Sequence, residues 1–133
     1  MDDILINKAS TIEKCMARIR KVYQGRQDQF ATNFNLQDVI ILNLQRACEA
    51  AIDMATHAVK AGRLGVPQSS RDFFVLLEKA GILTPALSKS MQAMVGFRNI
   101  AIHDYQDINL EIVRAIVEKH LDDFLVFSAA LLK

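Results

Sequence analysis

The chain has 133 residues, a formal net charge of +1, 51% hydrophobic residues and 23% charged ones. That length fits one domain able to bury its own core, and the apolar content excludes intrinsic disorder. A charge so near zero excludes a protein that coats nucleic acid or an anionic membrane by bulk electrostatics, so any such binding has to come from a local patch.

Five glycines and two prolines are too few to punctuate a β-sandwich, and the apolar residues recur at three and four, the helical period. Ile4, Ile12, Cys15, Met16, Ile19, Val22 and Tyr23 form one stripe, which predicts a first helix ending near Gly25. Gln24 to Phe34 is polar and reads as a loop. Asn35, with Asp38 three residues on, reads as the N-cap of a long second helix from about Leu36 to Lys60. Its Val39, Leu42, Cys48, Ile52, Ala55 and Val59 are expected to face inward, and it stops around Gly62, Gly65 and Pro67. Ser69 or Ser70 caps a short helix carrying Phe73, Phe74, Leu76 and Leu77, closed by Gly81. Thr84-Pro85 is a cap followed by proline at the first helical position, opening a fourth helix to about Ile102. Asn109 caps a last helix in which Ile112, Ile116, Val117, Leu121, Phe124 and Leu125 continue almost to Lys133. The expected fold is all-α, an antiparallel bundle of four long helices and one short one, in a single domain over 1–133.

Several further classes are set aside. The start, Met-Asp-Asp-Ile, carries acid where a secretory signal carries base. No apolar run approaches the roughly 18 residues of a membrane span, since Asp53 and Asp122–Asp123 interrupt the best candidates. Cys15 and Cys48 lack metal-ligand spacing and read as reduced core residues of a cytoplasmic protein. His57, His103 and His120 are isolated from one another, so neither a metal nor another cofactor is expected, and His57 and His120 read as structural or solvent-facing. The charge is nonetheless unevenly spread. Lys14, Arg18, Arg20, Lys21 and Arg26 form a run with no acid between them, whereas Asp104 to Asp123 holds six acids and two bases. The plain reading of each run is a solvated helix face; the functional reading of the first is a basic edge that guides a phosphate backbone.

One segment concentrates chemistry: Phe97-Arg98-Asn99-Ile100-Ala101-Ile102-His103-Asp104-Tyr105. Arginine offers a planar fork for phosphate oxygens and keeps its charge, and histidine titrates near neutrality and moves protons. Together they suit phosphodiester cleavage of RNA, whose 2′-hydroxyl supplies the nucleophile. The competing reading is a polar pair finishing a helix end. On one continuous helix Arg98 and Tyr105 share a face, but His103 is turned about 140° from Arg98. Either the helix ends near Ile102 and His103 swings round, or a second copy of the segment completes the site. Glu49 and Asp53, one turn apart, read as partners of Arg46 or Arg98 or as residues that shape a site. Met91 and Met94 read as core or interface filling.

Arg98-Asn99-x-x-x-His103-x-Tyr105 resembles the R-x-x-x-x-H-x-Y signature of HEPN-domain proteins, specifically the HepT-like toxins. The likeness extends to Leu44–Asp53, Gly65-Val66-Pro67, Phe73–Leu83, Met94–Tyr105 and the final amphipathic stretch, in the family's order and over nearly the whole chain. The resemblance implies a helical homodimer whose cleft brings together two copies of the Arg/His segment. It implies a metal-independent endoribonuclease, the toxin of a two-component system whose antitoxin is a nucleotidyltransferase of the MNT type. On that basis Arg98 would bind the scissile phosphate and His103 would act as general base or acid. Asn99 and Asp104 would support them, with Asn99 orienting the phosphate or the histidine. Tyr105 would accept AMP that the antitoxin takes from ATP, and Lys14, Arg18 and Lys21 would form an RNA-facing rim. The alternative is a non-enzymatic subunit that binds nucleotide or substrate for the nucleotidyltransferase; a purely structural adaptor is the weakest of the three.

Overall fold

Six α-helices fill residues 2–133, which the computed structural model describes: α1 Asp3–Tyr23, α2 Phe34–Gly62, α3 Ser70–Lys79, α4 Pro85–His103, α5 Leu110–Lys119 and α6 Leu121–Leu132. The all-α class is as expected, but three helices are long and three short. The difference arises at His120, whose backbone (φ −128°, ψ 2°) leaves the helical region and divides the expected last helix into α5 and α6.

Helix starts follow from short polar side chains that take up otherwise unpaired backbone N–H groups. Asp2 Oδ1 accepts from the N–H of Ile4 (3.0 Å) and Leu5 (3.2 Å). Thr84 Oγ1 accepts from Leu87 (3.1 Å) and Asn109 Oδ1 from Glu111 (2.9 Å). In α2 the cap is Asn33, not Asn35: its Oδ1 accepts from Leu36 at 3.0 Å, so the helix begins two residues early and leaves Phe34 in solvent. At the other end Arg63 takes the left-handed conformation (φ 51°) where Gly62 was expected to act. Gly65 is needed for a different reason. Its φ is +144°, and a Cβ there would lie 2.7 Å from Leu76 Cδ2.

The longest helix, α2, runs through the middle of the bundle and packs on α1, α3, α4 and α6. It buries Ile40, Leu44, Ala47, Met54 and Ala55 completely or nearly so. Three residues expected inward are instead exposed: Ile4, Leu42 and Ile112. Phe30, in the connection read as a polar loop, is fully buried, edge-on to Tyr23 and beneath the Arg114 guanidinium at 5.4 Å. Pairs Lys8–Asp53 (3.1 Å) and Asp2–His57 run α1 antiparallel to α2.

Candidate active site

The site is built at the C-terminal end of α4. Proline at its first position and the Thr84 cap start the helix, and the absence of glycine or proline after Gly96 lets it run unbroken through His103. The Asp104 N–H still bonds the Ile100 carbonyl at 2.8 Å. His103 therefore stays in helical register, about 140° from Arg98. That removes the first of the two sequence-based solutions, in which His103 swings away from the helix end.

Arg98 turns inward to α2. Its Nη1 donates to Glu49 Oε1 at 3.1 Å, and its Nε is buried without a hydrogen-bond partner. The side chain is 18% exposed. Asn99, Ile100, Ile102, His103 and Asp104 are all exposed. Beyond α4 a short 3₁₀ turn, Tyr105–Asp107, presents Tyr105 back to α2, where its hydroxyl donates to Asp38. Partial burial first, then that hydrogen bond and the carboxylate's charge, push the Tyr105 phenol up to about 12.

Asp38 and Glu49 are eleven residues apart on α2, which puts them on one strip about 16 Å apart along the axis. Leu42, Gln45, Arg46 and Asp53 belong to the same outward strip, and Arg46 lies close enough to α1 for its charge to act on the Cys15 thiol. On α1, the turn of about 100° per residue places Lys14 and Lys21 opposite the buried face, with Arg18 between them and Lys8, and all three are exposed. Arg20 lies on the other side and pairs with Asp122 of α6 at 2.5 Å. The basic residues therefore lie on the outer face of α1, while Arg98 and Tyr105 border the α2 strip through Glu49 and Asp38. The contact of Asp38 with Tyr105 is the one the sequence did not disclose. The signal was a set of polar residues at 38, 45, 46, 49 and 53 that fall on one strip of the helix.

On its other flank α4 forms an open apolar groove with α5, about 710 Å³, lined by Ala93, Phe97 and Ile100 facing Ile112, Ala115 and Ile116. Gly96 also lines this groove, and His103 follows Ile100 one turn on, outside the lining residues. Its far end carries Ser90, which donates to Asp123 at 2.6 Å, and His120, 3.0 Å from the same carboxylate. The hydrogen bond from His57 lowers the pKa of Asp2, with desolvation opposing it. Burial pushes both cysteine thiols up, Cys48 furthest. Among the described residues no three His, Cys, Asp or Glu are grouped to hold a metal ion, and no helix is long and apolar enough to cross a membrane.

Residues 12–131 match the family described as Ribonuclease HepT-like. The chain is 54% identical over 127 residues to the mRNA nuclease HepT of Shewanella oneidensis, covering 96% of this chain and 95% of that protein. It is 28% identical over 106 residues to the tRNA nuclease HepT of Aphanizomenon flos-aquae, covering 80% of this chain and 72% of that one. Among solved structures it matches, at a TM-score of 0.93 and 51% identity, the tri-AMPylated Shewanella oneidensis HEPN toxin in complex with MNT antitoxin, covering 99% of this chain and 98% of the other.

Proposed function

The chain belongs to the ribonuclease HepT-like family, and from that premise we propose that it is a metal-independent endoribonuclease. We read it as the toxin of a cytoplasmic toxin–antitoxin pair, a single HEPN domain over 1–133 that works as a homodimer. The observation that carries this reading is the exposed end of α4. Arg98 stands at the α2 strip with its Nε unpaired, His103 is presented to solvent, and an apolar groove reaches Ile100, one turn before that histidine. A second copy seated on the groove would cover exposed Ile100 and Ile112 and set two His103 side chains at one seam.

RNA then enters beside the end of α4, drawn in by the positive charge of Lys14, Arg18 and Lys21 on the exposed face of α1. One His103 takes the proton of the 2′-hydroxyl as that oxygen attacks the adjacent phosphorus. The other gives a proton to the departing 5′-oxygen, leaving a 2′,3′-cyclic phosphate and a 5′-hydroxyl. Arg98 exchanges the Glu49 carboxylate for phosphate oxygens and stabilises the charge that builds on them. Asn99, one turn before His103 on the same face, orients the phosphate or the imidazole, with Asp104 adjoining it. The cognate MNT-type nucleotidyltransferase silences the enzyme by moving AMP from ATP onto Tyr105. The added phosphate brings negative charge and bulk to the edge of the cleft.

The test is cleavage in EDTA by purified wild-type and His103→Ala proteins, with analysis of the product ends. Cyclic-phosphate ends from the wild type alone are expected. Equal cleavage by both proteins would overturn the assignment of His103. Tight binding to the antitoxin without any cleavage would favour the non-enzymatic subunit.

A further inference from the structure

Adenylylation of a phenol requires its oxygen to lose a proton, and at Tyr105 that proton is already directed at one group. The hydroxyl donates to Asp38 Oδ1 of α2, and the ring is only half-covered, at 44% exposure. We propose that Asp38 is the proton acceptor in the first AMP transfer onto Tyr105, so that the toxin supplies the base for its own modification. This rests on the reading of Tyr105 as the AMP acceptor.

The chemistry leaves little room for a phenolate formed in advance. With the phenol pushed up to about 12, roughly one molecule in 10⁵ is ionised at neutral pH. The proton therefore leaves as the attack proceeds, to a base within hydrogen-bond reach. In the balanced step the bond from Tyr105 Oη to the α-phosphorus of ATP forms and the bond from that phosphorus to the bridging oxygen breaks. Pyrophosphate departs with the electron pair, and the phenolic proton passes to Asp38 and on to water. His103, two residues away on the exposed end of α4, is not the group that holds this hydroxyl.

Two consequences follow from the same contact. Once esterified, the oxygen has no hydrogen to donate, and the new phosphodiester anion lies against the Asp38 carboxylate. Repulsion then drives the modified side chain off α2, towards the cleft it blocks. A phenolic oxygen also accepts a single adenylyl group, so any later addition is made to a different hydroxyl and needs no help from Asp38.

The experiment follows intact mass over time for the full-length toxin with its cognate antitoxin, ATP and magnesium. Asp38→Asn is expected to slow the first mass step by about 100-fold while later steps keep wild-type rates. Asp38→Glu is expected to recover part of the loss. A first step at or above the wild-type rate in Asp38→Asn would overturn the proposal, and so would equal slowing of every step, which would place Asp38 in antitoxin docking. Tyr105→Phe separates the two readings. If it gains AMP like the wild type, the acceptor is wrong; if it stays unmodified while Asp38→Asn reacts normally, the base alone is wrong.

Discussion

At its N-terminal end α4 is finished by its own chain. Thr84 caps it, Ser88 donates to the Phe74 carbonyl (3.2 Å) and accepts from Gln92 (3.1 Å), and Met91 and Met94 are buried. At its C-terminal end the same helix leaves Ile100 and Ile102 in water, His103 exposed and the Arg98 Nε buried without a partner. Folding alone favours the first arrangement, because apolar surface and unpaired buried donors both cost free energy. The second arrangement keeps groups available for something outside the protomer. On the proposed function one helix carries a structural end and a working end, with the boundary near Gly96.

The largest effects should come from the working end and should separate its two central residues. His103→Ala is expected to lower the rate of RNA cleavage by about 10³-fold without moving the melting temperature, since the side chain is exposed. Arg98→Ala is expected to lower cleavage comparably and also to cost about 1 kcal/mol of stability, because Glu49 loses its partner. Cleavage rates set beside thermal melts check both. If His103→Ala destabilised the protein as much as Arg98→Ala, the histidine would be part of the structure and the boundary at Gly96 would move.

The structural end answers in the opposite sense. Met91 is fully buried, and Met91→Ala is expected to cost about 3 kcal/mol through lost contacts and a residual cavity. Cleavage per folded molecule, measured well below the new melting point, should stay at the wild-type level. A matching loss of activity would mean that packing at one end of α4 sets the geometry of the other.

How far the sequence reveals these ends depends on how local the cause is. Caps are local, so Thr84 and Asn109 could be read directly, whereas Asn33 and Asn35 offer the same side chain two residues apart and only the fold decides between them. The break at His120 has neither glycine nor proline, and the apolar period runs across it into Leu121 and Phe124, so the division of the last helix was hidden. Arg98, His103 and Tyr105 stood out as a motif, and Glu49 could be matched to Arg46 or Arg98, of which the fold takes Arg98, whereas Asp53, offered the same two, pairs with Lys8. Asp38 could not be matched to its partner, since 67 residues separate it from Tyr105 and its position suggested an ordinary first-turn acid. Leu42 shows the converse. A sequence pattern gives the face of a helix, but on α2 the strip left uncovered is decided by where α1 and α4 stop covering it.

The smallest effect concerns how firmly the working end is held, and alkaline titration measures it. The protein has two tyrosines, and both phenols are pushed up to about 12: Tyr23 by burial and then the Glu118 hydrogen bond, Tyr105 by partial burial and then Asp38. Phenolate absorbance should therefore stay flat through pH 10, where an unperturbed tyrosine titrates. Each folded phenol holds its proton more tightly than its unfolded counterpart. Its contribution to stability is thus complete below about pH 10 and is lost as pH rises through about 12. Tyr105→Phe should halve the late absorbance step and remove half of this alkaline sensitivity. Asp38→Asn should move the Tyr105 half of the step back towards 10, because the hydrogen bond and the charge that help to raise it both weaken. If one wild-type phenol titrates near 10 and Tyr105→Phe abolishes that step, Tyr105 spends its time off α2. The Arg98–Glu49 pair would then be the polar contact that this end of α4 keeps with α2.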